Sequence, residues 1–352
     1  MNDKPYLLVD SSYVSFYRFF STLIWYTNTY PEIEINDEMD LSENEVFMEH
    51  YDKYYMNSIN KFRCMYDIPY ENIILVRDCP REQIWRMDIY PEYKATRKNT
   101  CSFKNKRFNV GNIFKHIYSK LYPDIEEKYK INIIKFDNAE ADDVIAVLSK
   151  KIHEIDMNRL IVIITNDNDY LQLVNNKILI WSLQNKLLNT KVETTSEQLL
   201  LKKIFKGDES DNILPCSNLS DEDIDSLVKN KFALEKYLNE NDDIKDKFEK
   251  NKQLVDFEMI PDILKNKITE DCKYFLPEKR IVEDNKIDNV KIEKPVMELD
   301  KKIKNPKIII LKNDNLDNSL NNNKAFSKII KGKNKKWINS LMTENFYKKN
   351  LF

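Results

Sequence analysis

Glycine is almost missing from this chain of 352 residues, which holds only Gly111, Gly207 and Gly332. Turns that would normally draw on glycine must use Asn, Asp or Ser, which enter left-handed backbone less readily. Histidine is equally scarce: His50, His116 and His153 fit neither a zinc cluster nor a catalytic triad. Five cysteines (Cys64, Cys79, Cys101, Cys216 and Cys272) are scattered, odd in number and without zinc-ligand spacing. They argue against a disulfide framework and for a reduced, intracellular protein. No apolar run reaches the roughly 18 residues that a membrane helix requires. The first residues, Met-Asn-Asp-Lys-Pro, lead straight into an apolar strand, with no secretory pattern. Charge is balanced, with 56 basic and 58 acidic residues. The chain as a whole therefore exerts no pull on nucleic acid, and any binding surface must be local.

What the chain has is alternation. Short runs rich in Val, Ile and Leu fall at 6–10, 73–78, 131–136, 160–165 and 178–181. Such near-continuous apolar strands belong to a parallel sheet covered on both faces. Helical patterns lie between them, at about 12–25, 43–66, 109–122 and 139–153, the third expected to stop near Pro123. Strand–helix alternation predicts an α/β fold with a mostly parallel central sheet covered by helices. Sites in such sheets lie at the carboxyl ends of the strands. We expect a core over 1–215 and a helical part over 216–262. An extension of unreadable role would follow over 263–352, where Lys, Asn and Asp dominate.

Nine carboxylates close apolar runs or open helices: Asp10, Asp78, Glu140, Asp142, Asp143, Asp167, Asp169, Asp208 and Asp211. Any one of them alone reads best as a helix cap or turn residue. Three within Glu140-Ala-Asp142-Asp143 repel one another and call for a cation. Without histidine or cysteine partners, the set describes an oxygen-only cage for hard divalent ions. A cage of this kind holding two magnesium ions is a standard device for cutting phosphodiesters.

A second feature is electrostatic. From Lys94 to Lys120 run eight basic residues and no acidic one: Lys94, Arg97, Lys98, Lys104, Lys106, Arg107, Lys115 and Lys120. Tyr93, Phe103, Phe108, Phe114 and Tyr118 interleave them. A solvated surface over core aromatics is the plain reading. The functional one is a groove that tracks phosphates and stacks unpaired bases.

These residues together resemble the 5′-nuclease superfamily of flap endonucleases and bacterial and phage 5′–3′ exonucleases, which share a PIN-like fold. The matching blocks are Leu7-Leu-Val-Asp10, Trp85 to Arg97, Ala139 to Val144, Thr165 to Leu173 and Gly207 to Ile213. Asn251 to Phe257, followed by Ile260-Pro261, is similar to the phage branch. The resemblance implies that Asp10, Asp78, Glu140 and Asp142 hold the more catalytic ion. Asp143, Asp167, Asp169, Asp208 and Asp211 would then surround a second ion. It implies two Mg2+ ions, with Mn2+ as a substitute, and in-line attack by water. The basic segment at about 86–122 would form an arch beside the ions. Within it Tyr93 would stack on a base, Lys94 would touch the scissile phosphate, and Arg97 and Arg86 would contact substrate. The implied partner is DNA with a 5′ flap or 5′ end, with RNA–DNA hybrid as a further candidate and no membrane. A monomer is expected, and no clamp or polymerase partner is legible. One departure stands out: Ile213 to Ile224 lacks the glycine-rich helix–hairpin–helix turn of the family and adds acidity. The 216–262 part is therefore expected to be a degenerate duplex-binding region. Two rival readings remain, a single-strand RNase of related fold and a non-catalytic nucleic-acid scaffold.

Overall fold

A computed structural model describes residues 4–36, 39–97, 100–103, 106–191 and 194–277, with backbone alone for 100–103 and 106–109. Five parallel strands form the central sheet: β1 (Tyr6–Asp10), β2 (Ile73–Arg77), β5 (Asn132–Lys135), β6 (Ile161–Ile164) and β7 (Ile178–Trp181). Their order is β5-β2-β1-β6-β7, with Leu8 level with Ile74 and Ile163. Starting at β1, the chain builds outward through β2 to β5, then returns to add β6 and β7 on the other side. Connections thus leave β1 and β6 in opposite directions, which opens a crevice at their carboxyl ends.

The three inner strands β2, β1 and β6 are buried on both faces, so their alternate residues supply two cores. The edge strand β5, expected as a covered apolar run, is only partly buried. Tyr6, Leu8, Ile74, Val76, Ile161 and Ile163 pack against Val144, Ile145, Leu148 and Ile152 of α6 (Ala141–Ile155). Leu7, Val9, Ile73, Leu75, Val162 and Ile164 are equally buried. The long helices α1 (Ser11–Thr29) and α2 (Glu45–Met65) pack together, and α1 contacts β1 and β2. Between β2 and β5 come α3 (Arg86–Ile89), the antiparallel hairpin β3 (Thr100–Phe103) and β4 (Lys106–Asn109), α4 (Gly111–His116) and α5 (Tyr122–Tyr129). Helices α7 (Ser196–Lys206), α8 (Asp221–Lys229), α9 (Lys231–Asn239) and α10 (Asp242–Val255) follow the sheet. They form a second apolar cluster in which Phe205, Ile224, Leu234, Phe248 and Leu254 close over Cys79, Ile84 and Tyr93. No helix among the described residues is long and apolar enough to cross a membrane.

Three sequence expectations shift here. The helix expected to end near Pro123 continues through it, because a π-helical turn at Ile117–Leu121 precedes α5. That wider turn makes room for a proline ring and its missing N–H. The core also runs past 262. Helix α11 (Asp262–Asp271) buries Leu264, Ile268 and Cys272 in the same cluster as α6. Its apolar i, i+4 pair is too short a signal to stand out in a charged segment. The basic segment, finally, contains the β3–β4 hairpin that no alternation in the sequence announced. The expectation about glycine fares better: among the described residues Asp67, Asn138, Asn185 and Asn212 take positive φ, joined by Lys94 and Lys130.

Candidate metal and phosphate site

Each strand that ends at the crevice hands a carboxylate to it. Asp10 closes β1 and caps α1, accepting the Tyr13 N–H at 3.0 Å and the Thr165 hydroxyl at 3.1 Å. Asp78 follows β2 and accepts the Ser12 hydroxyl at 2.5 Å and the Ala141 N–H at 2.8 Å. Glu140 and Asp142 open α6. Asp167 follows β6 and donates its N–H to the Thr165 hydroxyl oxygen at 3.2 Å. Thr165 therefore ties the two sides of the switch point together. One cavity of about 80 Å3 is lined by Asp10, Asp78, Glu140, Asp142, Asp167 and Tyr170. A cavity of that size has room for water-sized groups, so the space suits ions with part of their hydration.

The electrostatics are those of crowded carboxylates. Burial, then the charges of Asp78 and Asp167, raise Asp10 from the ordinary 3.8 to about 7. Burial likewise raises Asp78. Asp142 is pushed well up, by burial first and then by Glu140 and Asp143. Burial also acts to raise Glu140, but Lys94 and Arg86 outweigh it and hold that carboxyl low. Such a set is costly without a cation and favourable with one.

A second carboxylate cluster joins the 3-10 turn after β6 to the loop after α7. Asp169, Asp208 and Asp211 bring one oxygen each within 4.8 Å of one another. Gly207 makes this loop feasible: it sits at φ 67°, and a Cβ there would lie 2.3 Å from the Ile213 carbonyl oxygen. That close approach lets Asp208 and Ile213 exchange backbone hydrogen bonds of 2.9 and 2.8 Å. Lys94, also left-handed at φ 57°, donates its backbone N–H to the Asp211 carbonyl at 2.9 Å. The Tyr93 hydroxyl lies 3.0 Å from Glu140 and 3.2 Å from Asp211. One segment thus touches both clusters.

Several residues singled out in the sequence take other places. Asp143, expected at the second ion, is fully buried and faces Arg86, which grips it with two nitrogens at 2.8 and 3.0 Å. Trp85 Nε1 at 3.0 Å and the Glu140 N–H at 3.1 Å complete its partners. Glu140, Asp142 and Asp143 do bring oxygens within 4.8 Å of one another. Yet four donors already occupy both Asp143 oxygens, which makes it an anchor for the start of α6. Arg86, expected to contact substrate, is 2 % exposed and also donates to the Leu254 carbonyl at 2.7 Å. Tyr93, expected to stack on a base, is 2 % exposed. Lys94 and Arg97 do line the cavity, but in ion pairs with Glu140 and Asp211. Asp167, expected with the second cluster, lies on the first cavity. Lys98 and Lys104 fall outside the described residues, and for Lys106 and Arg107 only the β4 backbone is described.

The sequence reading missed three residues. Lys203 on α7 pairs with Asp169 and, at 2.9 Å, with Asp208. Arg81 lines the first cavity and donates to the Tyr93 carbonyl at 3.1 Å, with no ion pair among the described residues. Tyr170 completes the wall. Of these only Arg81 carried a signal, a basic residue just after a strand-terminal aspartate.

A parallel α/β sheet with all-oxygen carboxylate clusters at its carboxyl edge offers groups that could hold a metal ion. Residues 5–204 match the family described as the 5′-3′ exonuclease, N-terminal resolvase-like domain, and the chain belongs to that family. A 5′-3′ exonuclease of Buchnera aphidicola is 29 % identical over 152 residues, covering 41 % of this chain and 45 % of the relative. DNA polymerase I of Caldicellulosiruptor bescii is 28 % identical over 177 residues, covering 46 % of this chain and 19 % of the polymerase. The chain thus spans less than half the length of these curated relatives. A bacteriophage T5 flap endonuclease, solved with DNA and metal ions, shares the fold at a TM-score of 0.54 and 17 % identity. That likeness covers 77 % of this chain and 99 % of the phage protein. A zinc-bound T5 5′-exonuclease matches over the same shares, at a TM-score of 0.52 and 17 % identity.

Proposed function

We propose that this protein is a 5′ nuclease that uses two Mg2+ ions, with Mn2+ as a substitute, to hydrolyse DNA near 5′ ends or flaps. RNA primers paired to DNA are a further candidate substrate. The observation that carries the reading is the convergence of Asp10, Asp78, Glu140, Asp142 and Asp167 on one cavity at the carboxyl edge. The donor set fits the ions, being all oxygen, at least partly buried and electrostatically crowded. Asp10, Asp78, Glu140 and Asp142 would hold one ion; Asp169, Asp208 and Asp211 would serve the other. Bound divalent ions make water a stronger nucleophile and neutralise charge on the scissile phosphate.

The protein's own groups do the rest. Thr165 and Ser12 orient the Asp10 and Asp78 carboxylates. Arg86 and Asp143 fix the first turn of α6, and with it Glu140 and Asp142. Lys94 and Arg97 neutralise Glu140 and Asp211 until substrate arrives. Both are then placed to turn to phosphate oxygens beside Arg81. The 5′-exonuclease name of the Buchnera relative and the DNA complex of the phage neighbour support this direction. Asp142→Asn is expected to abolish cleavage of a 5′-labelled flap while DNA binding persists. Flap, nicked, blunt and linear RNA substrates compared side by side with Mg2+ would test the reading. Undiminished cleavage by the variant, or RNA cut in preference to DNA, would refute it.

A further inference from the structure

The described cavity contains one buried polar group to which the proposed chemistry gives no task. Tyr170 stands on the 3-10 turn Asn168–Leu173 and is 1 % exposed. Its ring is held against Phe257, with centroids 6.3 Å apart. The hydroxyl oxygen is buried and meets no hydrogen-bond partner among the described residues. Acceptors nevertheless share its cavity, for Asp10, Asp78, Asp142 and Asp167 line the same space as Tyr170. An unsatisfied buried hydroxyl costs about 1–3 kcal/mol, and native proteins rarely tolerate one without a role. Phenylalanine would fill the same apolar slot against Phe257 without that cost. A donor set among four carboxylates, none in direct reach, is spaced for a bridged contact.

We propose that Tyr170 is a positioning residue for the cation cavity, its hydroxyl donating to a hydration water of the ion held by Asp10, Asp78 and Asp142. The donor orients that water and strengthens the hold of the site on its ion. Groups acting on a metal at this remove alter affinity by about 10–100-fold when deleted. The inference rests on the metal-dependent reading above.

The test is Tyr170→Phe beside the wild type, with Mn2+ titrated calorimetrically in the absence of DNA and melting followed in EDTA and in Mn2+. In EDTA the variant should melt at or above the wild-type temperature, because an unsatisfied hydroxyl is gone. In Mn2+ it should gain less, with affinity about tenfold lower. Unchanged Mn2+ affinity would overturn the proposal. So would a lower melting temperature in EDTA, which would reveal a purely structural bond. A wild type that neither binds Mn2+ nor cuts a flap would instead sink the nuclease reading, so the two failures are told apart.

Discussion

Asp10→Asn should make the ion-free protein more stable at pH 8 and less responsive to divalent ions. Burial and the neighbouring carboxylates raise the Asp10 carboxyl to about 7 against an ordinary 3.8. Between about pH 4 and 7 the native state holds a proton at Asp10 that the unfolded chain has released. Stability therefore falls as pH rises through that window, and the full penalty is present above about 7. At about 1.4 kcal/mol per pH unit the rise corresponds to about 4 kcal/mol. Asp10 lies at the cavity wall and is only partly buried. Water there screens the effect, and we expect about half of it, about 2 kcal/mol. Asparagine keeps an acceptor for the Tyr13 N–H, so the cap on α1 survives. At about 2–4 °C per kcal/mol, melting in EDTA at pH 8 should rise by roughly 4–8 °C. The gap should close toward pH 4. Adding Mn2+ should reverse the order, since the wild type gains a ligand and the variant does not. A variant that melts below the wild type in EDTA at pH 8 would refute the account of burial and repulsion.

Lys203→Met removes the ammonium shared by Asp169 and Asp208. Mn2+ affinity at that cluster, read by calorimetry, should rise by up to about tenfold, or about 1.4 kcal/mol; a fall would mean that Lys203 supports the ion. Gly207→Ala places a Cβ against the Ile213 carbonyl at positive φ. It should cost on the order of 2–3 kcal/mol in thermal unfolding and weaken the Asp169, Asp208 and Asp211 cluster. An unaffected melting curve would show that the loop yields freely.

Much of the fold was legible because parallel strands buried on two faces leave unbroken Val/Ile/Leu runs. Asp10, Asp78, Glu140 and Asp142 were legible because they end or follow a strand or open a helix, where local pattern and site coincide. The orientation of Arg86 and Tyr93 was not. A basic or aromatic residue near a phosphate site looks the same whether it faces DNA or a neighbouring carboxylate. What decides is the packing of α7–α10 over the segment from Cys79 to Tyr93, a long-range contact. Lys203 and Tyr170 were hidden for a related reason, since helical spacing and an apolar surround described them fully as ordinary residues. Pro123 misled because the turn that accommodates it is a local register change with no sequence mark.

The internal ion pairs of Lys94, Arg97 and Lys203 give the acidic edge a further property. Like the fixed groups of an ion-exchange resin, these tethered ammonium and guanidinium groups occupy sites that dissolved ions would otherwise have to fill. On the two-ion reading proposed above, the polypeptide would not need bound metal to balance this edge as it folds. Loading would then be a swap of counterions, graded by their concentration in solution, rather than a precondition for folding.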